Sequence, residues 1–241
     1  DHRGVMYFGN VNGVLEYDGQ EWRLIELPDK TTARSLAVDP HGRIYVGSYG
    51  ELGYLRPDER GRMQFVSLSD LIPEKHKPFY DVWNIHLVDD SVFFYTDKKV
   101  IRYAGDEMRV FSIYERSDQE NIETAFVYRE QYHFVDDARG MYRISGDSLI
   151  KVMADEKLPE QVEKVAHLSN GHFMVIAQDR FFRLDVENKH IEPLRSSGAS
   201  YFSENKLYKA LVQLGDDLVV GTAMGGVVIM NPQGRILKVI D

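Results

Sequence analysis

Cysteine is absent from the 241 residues, which excludes a disulfide framework, a zinc knuckle and thiol catalysis. That absence fits a bacterial periplasm and a cytoplasm equally. Basic runs are missing too. Against 38 Asp and Glu stand 29 Lys and Arg, for a net charge of −9, and the densest basic cluster is Lys75-His76-Lys77. Non-specific nucleic-acid binding needs a basic footprint, so that class is excluded for this segment. Long apolar runs are also lacking: the longest, Leu218 to Met230, has 13 residues, three of them Gly. It is too short to span a bilayer and reads as two strands, so membrane attachment is expected only through a tether outside this chain. No leader precedes Asp1, and the chain is expected to be a mature or excised segment.

What the chain has in abundance is a repeat. Six segments spell the same pattern: VMYFGNVNGVLEYDG, RIYVGSYGELGYLRP, SVFFYTDKKVIRYAG, QYHFVDDARGMYRISG, HFMVIAQDRFFRLDV and LVVGTAMGGVVIMNP. Aligning Gly9, Gly47, Tyr95, Val135, Val175 and Gly221 gives spacings of 38, 48, 40, 40 and 46 residues. A period of roughly 40–50 residues made of short strands marks propeller blades, each of which must stack on its neighbours to bury its faces. The fold class expected is all-β: a propeller of four-stranded antiparallel blades with six repeats represented, in a full ring of six or seven. One domain, or a segment of one, spans residues 1–241.

Each repeat reads as strands A to D from the axis outwards. Strand A is apolar (Leu36-Ala37-Val38, Ile85-His86-Leu87-Val88) and is followed by a Gly, Asn or Asp turn, the residues tight hairpins demand. Strand B is almost continuously apolar, as expected when both faces are covered. Strand D is more polar, which suits an outer edge. Asp1-His2-Arg3-Gly4 matches the A–B turn Asp39-Pro40-His41-Gly42, so the first blade is expected to lack strand A. The long D–A connections, Ser67 to Tyr80 and Arg195 to Lys206, read as loops, and Glu156 to Glu163 as a short helical turn.

The phrases DPHGRIYVGSYGELGYL, DHRGVMYFGNVNGVLEYDG and FYDVWNIHLVDDSVFFYT carry a resemblance. The chain resembles the two-component regulator propeller repeat family, found in sensor ectodomains of Bacteroidetes-type signalling proteins with a triple-tyrosine domain. Repeats three to five depart from the pattern, with Tyr95, Val135 and Val175 where the family prefers Gly. The resemblance implies a non-catalytic, periplasmic sensing domain excised from a longer multidomain sensor. Its ligand would be small and polar, with carbohydrate-derived molecules the best-known class, or a partner domain. No cofactor is implied, and a homodimer is compatible with it.

Propellers also host enzymes. Sialidase boxes carry Ser or Thr two residues before the Asp and a following Trp, and Asp39-Pro40-His41-Gly42 has neither, so it reads as a turn. Gly146-Asp147-Ser148-Leu149 spells an esterase tetrapeptide but falls on a C–D hairpin without the strand-to-helix elbow a nucleophile needs. The eight histidines are scattered, without His-x-His or His-Glu-x-x-His spacing, so no metal site is expected. The acidic pairs Asp89-Asp90, Asp136-Asp137 and Asp216-Asp217 read as solvated turns rather than calcium ligands. Two rival functions stay open: a lyase or hydrolase like the streptogramin lyases, whose His and Glu converge across blades, and a protein-interaction or dimerisation scaffold. The scaffold would show a wide apolar patch.

In a propeller the B–C and D–A loops share one face, and that face is the expected ligand site. Its candidate residues are Arg34, Tyr49, Glu51, Tyr80, Trp83, Lys98, Arg139, Arg180, Tyr201 and Asn205, with Asn10, Asn12, Asp81 and Gln178 beside them. Aromatic faces next to amide and guanidinium groups suit a sugar or similar polar ligand. The plainer alternative is that Tyr80 and Trp83 pack between blades.

Overall fold

The computed structural model describes residues 1–96, 98–112, 122–136, 139–168, 171–178 and 180–241, except the side chains of residues 122, 123 and 208–210. The chain is an all-β propeller of six antiparallel blades in sequence order. The first has three strands, β1 (Met6–Asn10), β2 (Gly13–Tyr17) and β3 (Trp22–Glu26), which take the places of B, C and D. The second holds β4 (Ala33–Val38), β5 (Ile44–Ser48), β6 (Leu52–Pro57) and β7 (Met63–Ser67). The third holds β8 (Val82–Val88), β9 (Ser91–Thr96), β10 (Lys99–Ala104) and β11 (Glu107–Ser112). The fourth holds β12 (Ile122–Tyr128), β13 (Gln131–Asp136), β14 (Gly140–Ser145) and β15 (Ser148–Met153). The fifth holds β16 (Val162–His167), β17 (Phe173–Ala177), β18 (Arg180–Asp185) and β19 (His190–Pro193). The sixth holds β20 (Leu207–Leu214), β21 (Asp217–Thr222), β22 (Val227–Met230) and β23 (Ile236–Ile240). The blades fall into two compact units, one carrying β1–β11 with Val127–Tyr132, the other the rest of β12 with His133–Asp241.

Burial follows the order of strands within a blade. Every residue of β5 and of β17 is buried, as a strand covered on both faces must be. In the first unit Tyr45, Leu52, Val82, Ile85, Phe94 and Ile101 join the second blade to the third. In the second unit Met174, Ile176, Phe181, Leu211, Val220 and Val228 join the fifth to the sixth. The first blade differs. Met6, Phe8, Leu15, Tyr17, Trp22 and Leu24 share one face by strand register, and Trp22 is 58% exposed, stacked on Tyr17 at 4.6 Å. Its other face packs Val14 and Ile25 against Ala33, Ile44 and Val46 of the second blade, and carries a polar row in which Tyr7 donates to Glu16 at 3.2 Å and Arg23 pairs with the same carboxylate.

Hairpin register shows why Gly recurs in strand B. Gly9, Gly47, Tyr95, Val135, Ile176 and Gly221 oppose Val14, Leu52, Val100, Met141, Phe181 and Val227. A Cβ on Gly9 would lie 2.4 Å from the Ala33 carbonyl oxygen, and one on Gly47 would lie 2.5 Å from Ser35 Oγ and from Val82 Cγ1. At these two positions the next blade approaches too closely for a side chain. In the fifth blade the hairpin closes on Ala177 opposite Arg180, so Ile176 occupies this column and not Val175 as the sequence alignment had it.

The turns recur as chemistry. Asp39 Oδ1 accepts from the N–H of His41 and Arg43 at 2.9 and 2.8 Å. Asp1 serves Arg3 and Val5, Asp58 serves Arg60 and Arg62, and Asn231 serves Gln233 and Arg235 in the same way. Asx-x-x-Gly therefore builds A–B and C–D turns alike, with the side chain replacing a backbone acceptor. Of the long connections, Ser69–Leu71 and Glu74–His76 form 3-10 turns, and Ala199–Asn205 forms the helix α1. The helical turn expected within Glu156 to Glu163 is a 3-10 turn at Asp155–Lys157.

Candidate functional site

In the first unit, the candidate residues on the B–C and D–A side come together around two β-bulges. The β4–β5 ladder shifts register between Ala33 and Ser35, and the β8–β9 ladder between Val82 and Asn84. Each shift leaves one residue outside the regular ladder, Arg34 in β4 and Trp83 in β8. A bulge re-aims a side chain that would otherwise alternate inwards. Both residues are outward-facing, and the Arg34 guanidinium carbon lies 5.4 Å from the centre of the Trp83 ring.

The β5–β6 loop and the end of the β7–β8 connection supply the aromatic neighbours, Tyr49 and Tyr80. Gly50, at φ +65, turns its N–H to the Tyr80 carbonyl at 3.1 Å, and Tyr49 bridges to Asp81 across the two backbones. The Tyr49 and Tyr80 rings are thereby set 6.1 Å apart at 49°. Arg34 Nε donates to Asp81 Oδ1 at 2.7 Å and ties the bulge to the same loop end. Behind the loop, the Lys99 ammonium donates to the carbonyls of His76 and Pro78 at 2.6 and 3.1 Å. Burial, with Lys98 beside it, holds that amine below its ordinary pKa.

Tyr49, Tyr80 and Trp83 are 51%, 48% and 45% exposed, so they do not fill the space between blades. Three aromatic groups on one surface, with the edge of an ion pair between them, offer ring faces for stacking and donors and acceptors for direction. The terminal nitrogens of Arg34, the Tyr49 and Tyr80 hydroxyls and Asp81 Oδ2 make no hydrogen bond to the described residues. An ion pair this exposed adds only about 0–1 kcal/mol of stability, so its effect here is to fix geometry.

The other candidates have different surroundings. Glu51 turns into its own blade, where its carboxylate accepts from the Ser67 hydroxyl at 2.7 Å, the Leu52 N–H at 3.0 Å and the Ser69 hydroxyl. Asn10 accepts from the Asn12 N–H at 3.2 Å and closes the β1–β2 turn. Lys98 is half-buried on the β9–β10 loop. In the second unit, Tyr201 donates to the Gly225 carbonyl at 2.6 Å, and Asn205 to the Tyr201 carbonyl at 3.0 Å, so both brace the end of α1. Arg180 donates to Gln178 at 3.0 Å, and Arg139 is exposed beside Gly140.

Gly146 and Asp147 form the β14–β15 turn, and Ser148 opens β15 as an ordinary strand residue. His167 and His172 flank a turn whose Ser169 and Asn170 lie outside the described residues, as does Asp137 of the acidic pairs. Among the described residues, no three His, Asp or Glu side chains converge as metal ligands.

No protein-family model matches the sequence, and no curated protein does. Solved structures do. The WD40 β-propeller domain of Doa1 matches 98% of this chain and 78% of its own, at TM-score 0.70 and 14% identity. A streptogramin B lyase matches 99% of this chain and 80% of its own, at TM-score 0.66 and 11% identity. The extracellular domain of the putative hybrid two-component system BT3049 from B. thetaiotaomicron matches 86% of this chain, at TM-score 0.55 and 11% identity. This chain corresponds to 34% of that domain. At such identities the likeness is one of fold, and the fold is the β-propeller.

Proposed function

We propose that this propeller is a non-catalytic sensing domain, the periplasmic part of a bacterial signal-transduction receptor, and that it binds a small polar ligand of the carbohydrate-derived kind. The observation that carries the reading is the bulge-displayed pair Arg34 and Trp83 facing Tyr49, Tyr80 and Asp81. The fold-level likeness to the extracellular domain of a two-component system supports it. The likeness to a lyase propeller supports catalysis no further than fold, since general acid–base chemistry asks for groups within hydrogen-bond reach of a reacting atom. A thermal-shift screen of mono- and oligosaccharides, repeated on Arg34→Ala and Tyr49→Ala, tests the reading. A stabilising ligand is expected to lose its effect in both variants. A ligand that stabilises both variants like the parent, but not His41→Ala or Asp217→Ala, places binding on the opposite loops.

One observation favours a second reading, a protein-docking platform. The first blade exposes Met6, Phe8 and Trp22 together, an apolar face of the kind that marks contact with protein. Trp22→Lys is then expected to abolish self-association measured by light scattering across a concentration series. Association unchanged in that variant, or absent in the parent, removes the reading.

A further inference from the structure

The second unit carries a groove apart from the surface just described. Its volume is about 330 Å³, near the lower end of the roughly 300–1,000 Å³ typical of small-molecule sites. Its apolar floor and wall come from Phe182, Pro193, Leu194 and Ala199, and Arg180 and Arg195 flank it. The strands fix these walls. Phe182 opposes Pro193 across the β18–β19 pair, and the Leu194 N–H donates to the Phe181 carbonyl at 2.9 Å. Below, Phe181 is buried edge-on against Phe202 of α1 at 4.9 Å, and the Gly198 N–H donates to Ser196 Oγ at 3.0 Å. Ser196 in turn donates to the Gly234 carbonyl, so the chain leading into α1 is anchored at both ends.

The electrostatics of this groove are unbalanced. Arg180 lies 5.8 Å from the Phe182 ring centre and donates to the neutral amide of Gln178, whose own N–H₂ faces Glu160 at 3.5 Å. Neither Arg180 nor Arg195 forms an ion pair with a described residue. Among the described residues, the two guanidinium groups beside this apolar trough thus have no carboxylate partner, and their exposed N–H groups are open to an anion. Guanidinium pairs carboxylate through two parallel hydrogen bonds, and the trough beside it excludes a fully hydrated ion.

We infer that this groove binds a small monocarboxylate with an aromatic or branched aliphatic body, its carboxylate on Arg180 and Arg195 and its body along Phe182, Pro193 and Leu194. The inference stands independently of the first-unit surface. Phenylacetate and 4-methylpentanoate are the probes, titrated into the 241-residue chain while the Leu194 and Ala199 methyl signals are followed by NMR. At least one acid is expected to give saturable shifts there. Its neutral amide is expected to bind at least about tenfold more weakly, and Arg180→Gln and Arg195→Gln each to weaken the acid about tenfold, with salt weakening the parent. Gln retains length and polarity at these exposed positions, and an unchanged melting temperature shows that the variants fold. The inference is overturned if neither acid shifts those methyls, if the amide binds like its acid, or if both variants bind like the parent.

Discussion

Replacing Gly47 by Ala adds one methyl group at the seam between the second and third blades. It would lie 2.5 Å from Ser35 Oγ and Val82 Cγ1 and 2.7 Å from Val82 Cβ. Val82 is fully buried and stiff at χ1, and the Ser35 hydroxyl is committed to the Val82 carbonyl at 2.7 Å. Neither neighbour gives way freely. Overpacking of this kind costs about 1–3 kcal/mol, and losing the buried hydrogen bond adds about 0.5–1.5 kcal/mol. For a chain of this length each kcal/mol moves the melting temperature by about 2–4 °C, so a fall of roughly 3–18 °C is expected. Thermal melts followed by circular dichroism measure it. The double variant Gly47→Ala with Val82→Ala should couple, recovering about 0.5 kcal/mol or more beyond additivity, because the second change removes the atoms in the way. A melting temperature for Gly47→Ala within about 1 °C of the parent would refute the close-approach account of the strand-B glycines.

Burial, then the hydrogen bond to Asp106, pushes the Tyr103 phenol from 10.0 up to about 12. Such a group resists ionisation in the folded state, so the stability it contributes is intact below pH 10.0 and is lost as pH rises towards about 12. Tyr103→Phe should flatten the fall in denaturant midpoint across that window, and an unchanged slope would count against it. Glu51→Gln should lower stability by about 1–2 kcal/mol through its weakened bonds to Ser67, Ser69 and Leu52, while leaving ligand affinity within about twofold. Chemical denaturation and calorimetric titration read the two effects separately.

The blades were legible because three signals agreed: continuous apolar strands, Asx and Gly turns, and a spacing that stays between 38 and 48 residues. The first blade's three strands followed from matching Asp1-His2-Arg3-Gly4 to the later A–B turn. Column assignment slipped by one at Ile176, because apolar residues fill that strand from Phe173 to Ala177 and only the hairpin closure fixes register. The helix Ala199–Asn205 was hidden in a Ser- and Gly-rich stretch, and its packing comes from Phe202, which is fully buried. At the site, loop membership placed Arg34, Tyr49, Tyr80 and Trp83 on one side. The two bulges that turn Arg34 and Trp83 outwards depend on ladder register and have no composition signal. Glu51 shows the converse: its loop was legible, but its partners, 16 and 18 residues on, were not. The Phe182–Leu194 groove has no local sequence signal, because its two arginines are 15 positions apart and line it from the two sides of the β18–β19 hairpin's open end.

Hydrogen–deuterium exchange of the chain with and without a ligand found in the saccharide screen maps the surface that the ligand covers. Loop amides without ladder partners exchange fast and slow down when a ligand covers them. Slowed exchange is expected only at the Tyr49–Glu51 loop, the Pro78–Trp83 segment and the start of β4 at Arg34. Slowing at the Asp39–Arg43 and Gly215–Asp217 turns, with Tyr49–Glu51 and Pro78–Trp83 unchanged, would contradict binding there.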